Sequence, residues 1–227
     1  MAPPPFPSLK PKANLPLTTI LPSQIYVVDD FLSPSELKAV RSWTDGVMME
    51  EPKKPGKGEA ERTARRGALD SPDIAAVLLR MLEPYLPQLS PKYTAAPALS
   101  PNIRVYHYPT GTYFRSHYDS PTLDARTRRL SCWTVLVYLS SDVKGGGTSF
   151  YTGTYDIGGG AKRKGGAKKG KSDGSDTGGG GGKVTVEPKA GRLLFHWHGM
   201  SGGGCLRHEG DEVISGDKWV LRTDVLA

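Results

Sequence analysis

From residue 102 onward the texture of the chain is set by short runs of β-branched and aromatic residues. These are NIRVYHY (102–108), TYFRSHY (112–118), CWTVLVYL (132–139), TSFY (148–151), KVTVE (183–187), RLLFHW (192–197) and KWVLRTDV (218–225), separated by Pro-Thr-Gly and glycine-rich turns. Such runs read as strands, and no helical periodicity lies between them. Parallel pairing needs a long crossover, usually a helix, so consecutive strands of this kind imply an antiparallel sandwich or barrel rather than a βαβ sheet.

The N-terminal part has a different texture. Residues 1–20 carry six prolines and few large apolar groups, which predicts an extended arm outside the core. QIYVVDDF (24–31) is a strand candidate. The stretch after it encodes a helix start, with Ser33 as N-cap, Pro34 at the first helical position and Glu36 closing a capping box, and Gly46 supplies a stop. A second helix is predicted in SPDIAAVLLRML (71–82), with Ile74, Val77, Leu78 and Met81 on one face. Both helices are expected to cover one outer face of the strands, and the polar segment 51–68 between them reads as a loop. Residues 158–183 hold 12 glycines and no large apolar residue; they read as a flexible insertion in one domain spanning 21–227.

The formal charge of +7 suggests a polyanionic partner, but its distribution argues otherwise. The insertion contributes seven basic and two acidic residues, a net +5, leaving +2 for everything else. Its functional reading is an electrostatic tether for nucleic acid; the plainer one, favoured here, is a solvated surface loop. Two cysteines, Cys132 and Cys205, are too few for a disulfide framework and form no Cys-x-x-Cys pair. With neither a secretory signal nor a run of about 18 apolar residues, the expectation is a soluble, intracellular protein that does not engage a membrane.

Chemistry concentrates in FRSHYDSP (114–121). In extended backbone His117 and Asp119 point to one side and Tyr118 to the other, which is half of a metal site. The C-terminal part offers His196, His198 and His208 for the remainder.

The order His-x-Asp, a distant histidine, then Lys218 ten residues later resembles the Fe(II)- and 2-oxoglutarate-dependent oxygenases, and more narrowly the prolyl 4-hydroxylase catalytic-domain family. The likeness runs from IYVVDDFLSPSEL through RVYHYPTGTYFRSHYDS, TVLVYLSSDVKGGGTSF and PKAGRLLFHW to HEGDEVISGDKW. It implies a mostly β fold of the α+β kind, a double-stranded β-helix (jelly-roll) barrel with N-terminal supporting helices. It further implies that His117, Asp119 and His208 ligate Fe(II), and that Lys218 binds the far carboxylate of 2-oxoglutarate. Tyr108 is implied as a hydrogen-bonding partner of that cosubstrate, and ascorbate as an auxiliary reductant. Arg222, four residues beyond Lys218 and on the same face of a regular strand, competes for the carboxylate because a guanidinium grips it bidentately. The implied substrate is proline, free or in a peptide or protein. Ser131 and Asp224 stand where peptide-binding members commonly carry arginine and tryptophan. The rival readings are an oxygenase of the same chemistry acting on nucleic acid or a small metabolite, and a non-catalytic barrel whose basic insertion binds polyanions.

Overall fold

The computed structural model describes residues 5–12, 14–90, 96–140, 142–153, 182–200 and 203–227. Along the chain lie β1 (Thr18–Leu21), β2 (Ile25–Val28), α1 (Pro34–Thr44), β3 (Arg65–Asp70), α2 (Pro72–Leu82), β4 (Ala98–Leu99), β5 (Asn102–Tyr108), β6 (Phe114–His117), β7 (Ser131–Tyr138), β8 (Lys144–Gly145), β9 (Thr148–Tyr151), β10 (Lys183–Val186), β11 (Leu193–Trp197), β12 (Arg207–Gly210), β13 (Val213–Ser215) and β14 (Lys218–Leu226). The larger sheet runs β1-β2-β11-β7-β14-β5-β3, with β4 added on β14; the smaller runs β10-β9-β12-β6, and β13 pairs with β8. All paired strands are antiparallel.

Strand alternation divides the core into two layers. Val28, Trp133, Val135, Val137, Phe195 and Leu221 face outward from the larger sheet and pack with Val40 and Trp43 of α1 and Ile74, Leu78, Met81 and Leu82 of α2. Their neighbours Ile25, Val27, Tyr106, Tyr108, Tyr138, Leu194 and Val220 face inward, where they meet Phe150 and Val186 of the smaller sheet. The helices cover one face, as the sequence predicts, and the second layer becomes the interior of the barrel. On β14 this alternation turns Trp219 and Leu221 to the helices, and so Lys218, Val220 and Arg222 to the interior.

Four sequence expectations are corrected. The arm is extended but not outside the core. Phe6, Leu9, Leu15 and Leu17 pack on the helix-side layer, Phe6 meets Trp43 edge-on at 4.9 Å, and β1 begins at Thr18, inside the stretch assigned to the arm. Glu36 explains the attachment. Its carboxylate closes the capping box on Ser33 and also accepts from the Lys10 backbone N–H and the Lys12 ammonium. In the segment read as a loop, residues from Arg65 onward form β3, because pairing with β5 overrides the weak strand propensity of Arg-Arg-Gly. The last residue of the expected insertion, Lys183, opens β10 opposite Tyr151; residues 158–181 lie outside the described residues. On α2 the buried face is carried by Ile74, Ala75, Leu78, Met81 and Leu82, leaving Val77 half-buried.

Candidate active site

His208 lies on β12, a strand the sequence hides because Arg-His-Glu-Gly has no strand-like side chain. β12 inserts between β6 and β9, with His208 opposite His117 on one side and Phe150 on the other. Residues directly opposite in an antiparallel pair carry neighbouring side chains, so 91 residues of separation become a ring distance of 4.3 Å. Asp119 follows just past the end of β6. Its carboxylate lies 3.9 Å from Nε2 of His117, 3.7 Å from Nε2 of His208 and 3.4 Å from Nε2 of His196. Tyr118, between the two predicted ligands, is 51% exposed.

The histidine pair is set up for a cation. Nδ1 of His117 bonds the Arg115 carbonyl at 2.8 Å, and Nδ1 of His208 bonds the Leu206 carbonyl at 2.9 Å. A carbonyl only accepts, so each Nδ1 carries the proton and each Nε2 keeps its lone pair, aimed at Asp119. Burial lowers the His117 pKa to about 4, with His208 adding to the effect, and burial lowers that of His208 as well; both stay neutral and competent as ligands. Donor atoms of His117, Asp119 and His208 lie within 4.8 Å of one another. Two imidazoles and a carboxylate on one side of an ion match the facial triad of non-haem Fe(II) centres.

A polar network supports Asp119 from behind. Burial alone raises a carboxyl's pKa, but Arg222 and the three histidines outweigh it and hold Asp119 well below the usual carboxylate range. The Arg222 guanidinium lies 2.9 Å from Asp119 and 3.3 Å from Asp224, and Asp224 also receives Arg104 at 2.6 Å. Thr134 donates to Asp119 at 2.9 Å, so its oxygen accepts from Nδ1 of His198, also at 2.9 Å; Nε2 of His198 in turn accepts from Ser131 at 2.9 Å. The two positions that depart from the family pattern, Ser131 and Asp224, are therefore both built into the support of Asp119.

This network also corrects the standing of Arg222. Two carboxylates already hold its guanidinium, so it is not free for a cosubstrate. Lys218 is 2% exposed, and no carboxylate lies within 4.0 Å of it among the described residues. Its ammonium stands 4.7 Å from the Tyr108 ring and 5.8 Å from that of Tyr138. Burial lowers its pKa to about 8. Lys218, Tyr108, His117, His196, His208 and Arg222 line one cavity. Tyr108 is buried, and burial raises its pKa, which keeps the phenol protonated and able to donate.

Sequence reasoning left His196 among three candidates. Every residue of Leu-Leu-Phe-His-Trp is apolar or aromatic, so the period of two is invisible there; position after inward-facing Leu194 was the available signal. His196 also belongs to a second donor set with Cys205 and His208. Burial raises the Cys205 thiol to about 12, and its sulfur accepts the Asp119 backbone N–H at 3.3 Å.

The profile of the 2OG-Fe(II) oxygenase superfamily matches residues 103–223, more than half the chain and every residue of the cavity just described. The chain belongs to this superfamily. Prolyl 4-hydroxylase 1 of Arabidopsis thaliana is 28% identical over 211 residues, 86% of this chain. The chain spans 66% of that curated relative's length. Among solved structures, the viral collagen prolyl hydroxylase of Paramecium Bursaria Chlorella virus-1, in its 2OG complex, superposes with TM-score 0.54 at 16% identity, over 90% of this chain and 96% of that one. A Trichoplax adhaerens prolyl hydroxylase, solved with a hypoxia inducible factor oxygen degradation domain peptide fragment, gives 0.56 at 14% identity, over 90% of this chain and 84% of that one. These superpositions support the oxygenase jelly roll.

Proposed function

We propose that this superfamily member is an Fe(II)- and 2-oxoglutarate-dependent dioxygenase that hydroxylates proline in a peptide or protein. The observation that carries the reading is the pair of locked tautomers: Nε2 of His117 and of His208 converge on Asp119, and the buried ammonium of Lys218 lies in the same cavity. Iron with 2-oxoglutarate supplies, when bound, the oxidising power to place one oxygen atom of O2 in a substrate C–H bond, with succinate and CO2 as coproducts.

The chain's own residues do the rest. His117, Asp119 and His208 would hold the ion through two imidazoles and one carboxylate. Arg222 and Thr134 fix the Asp119 carboxylate, so that little reorganisation is needed when the cation arrives. Lys218 would receive the distal carboxylate of 2-oxoglutarate, and Tyr108 would donate a hydrogen bond to it. The interior face of β14 would thereby set the depth at which the cosubstrate binds. Support for a proline substrate comes from the Arabidopsis relative and the fold neighbours named above.

The test is succinate release from 2-oxoglutarate with added Fe(II), run across free proline, proline-containing peptides and oligonucleotides. Proline peptides are expected to stimulate release, and His117→Ala to abolish both release and tight Mn(II) binding. Full activity in His117→Ala would sink the assignment of the metal site.

A further inference from the structure

His117 and Phe114 line a second space, a groove of about 850 Å3 bounded by Lys53, Lys54, Glu59, Arg62, Arg66 and Tyr118 among others. Four of these side chains are cationic and one is anionic; of the cations, Lys53 already pairs with Glu50 at 3.5 Å, which leaves Lys54, Arg62 and Arg66. The anion is engaged locally, since Glu59 accepts the backbone N–H of Gly56 at 2.8 Å. The two arginines are fixed by the fold: Arg66 sits on β3 opposite inward-facing Tyr106, and Arg62 bridges to Phe114 at the start of β6. No carboxylate lies within 4.0 Å of either guanidinium among the described residues. Arg62 is held in conflict, its pKa lowered first by burial and next by the like charge of Arg66. An anion bound beside both guanidinium groups would offset the burial of Arg62 and the repulsion between the two.

Resting on the oxygenase reading above, we infer that this groove binds the substrate and selects an acidic peptide, with carboxylate side chains flanking the target residue seated on Arg62, Arg66 and Lys54. A free amino acid fills little of such a volume. Nucleic acid fits less well because the excess of positive charge outside 158–183 is small. Outside 158–183 the chain carries only +2, whereas a phosphate backbone is met by a broad basic face.

The experiment uses the full chain with Fe(II) and 2-oxoglutarate and three blocked peptides of equal length, each with one central proline flanked by glutamates, glutamines or lysines. The glutamate peptide is expected to show a KM about tenfold below the glutamine peptide, the lysine peptide the highest KM, and the preference to shrink toward 1 M salt, where screening acts within about 3 Å. The double charge swap Arg62→Glu with Arg66→Glu should invert the order of the glutamate and lysine peptides. Fluorophore-labelled versions of the same peptides, followed by anisotropy, report binding whether or not turnover occurs. Equal affinity for glutamate and glutamine peptides, an unchanged order in the charge swap, or tighter binding of an oligonucleotide or free proline overturns the inference. Should the swapped protein fail to fold, the wild-type series decides alone. Absence of succinate release with every peptide instead overturns the oxygenase reading, while the anisotropy order still judges the groove.

Discussion

At the scale of single residues, the site is governed by which charges are already paired. Lys218 and Arg222 share one face of β14, as their spacing of four indicates, but their occupation depends on Asp119 and Asp224, and no local pattern in the sequence reveals that Arg222 is spoken for. The difference is measurable through pH. The lowered pKa of Lys218, about 8, means its charged form is present below pH 8 and lost above it. The KM for 2-oxoglutarate should therefore be flat up to about pH 8 and rise roughly tenfold per pH unit beyond it; an arginine anchor would leave it flat. Lys218→Met should raise that KM by about tenfold to a hundredfold, as expected for removing a charge-assisted hydrogen bond, with Mn(II) affinity retained. Thr134→Val should do the converse, weakening Mn(II) binding about tenfold by freeing Asp119 while the KM for 2-oxoglutarate changes little; titration calorimetry separates the two.

At the scale of elements, legibility followed side-chain pattern. The seven β-branched and aromatic runs became strands, and the Ser33–Glu36 capping box formed as read. β3 and β12 were hidden because Arg-Arg-Gly and Arg-His-Glu-Gly owe their extended form to partners far along the chain. The cost of that hiding was largest at β12, since it sets His208 opposite His117. The N-terminal arm was misjudged for a related reason. Its prolines predict extension correctly, but attachment resides in Glu36, whose second task beyond capping needs Lys10 and Lys12 to arrive from elsewhere. Burial raises the Glu36 pKa, and hydrogen bonds from Lys12, Lys10 and Ser33 overcome it, bringing it from 4.5 to about 2. A depressed carboxyl contributes stability that is complete above pH 4.5 and lost as pH falls toward 2. Glu36→Gln should cost about 1 kcal/mol at neutral pH, flatten that acid limb of the stability curve, and speed proteolysis within residues 5–17. Limited proteolysis beside thermal melts at pH 7 and pH 4 checks both. The turn before β14 is a second element-scale control point. Gly216 has φ +86°, and a Cβ there would stand 2.1 Å from the Asp142 carbonyl oxygen. Gly216→Ala should therefore destabilise the fold by about 2 kcal/mol or more and, by shifting the start of β14, raise the KM for 2-oxoglutarate through Lys218.

At the scale of the whole molecule, the site needs both sheets: β6 and β12 of the smaller one bring His117 and His208, while β14 of the larger brings Lys218 and Arg222. The interior layer of apolar side chains that joins the sheets is therefore also the scaffold of the chemistry, and changes that leave this layer intact should leave the chemistry intact. The basic glycine-rich stretch is the natural trial. On either side of it, Tyr151 pairs with Lys183, and the Thr152 N–H donates to the Gly182 carbonyl at 2.8 Å, so the two flanking strands are already side by side. A short turn can close that gap. Because loop closure costs only about 0.6 kcal/mol per doubling of length, replacing residues 154–181 by a tight glycine-containing turn should hold or slightly raise the melting temperature. It should also keep 2-oxoglutarate turnover within about twofold, since Lys183 and the cavity residues are untouched and a twofold change corresponds to less than about 1 kcal/mol. Retained turnover together with unchanged salt dependence of peptide KM would locate substrate selection in the groove beside His117, whereas loss of substrate binding on this replacement would return the stretch to the role of a polyanion tether.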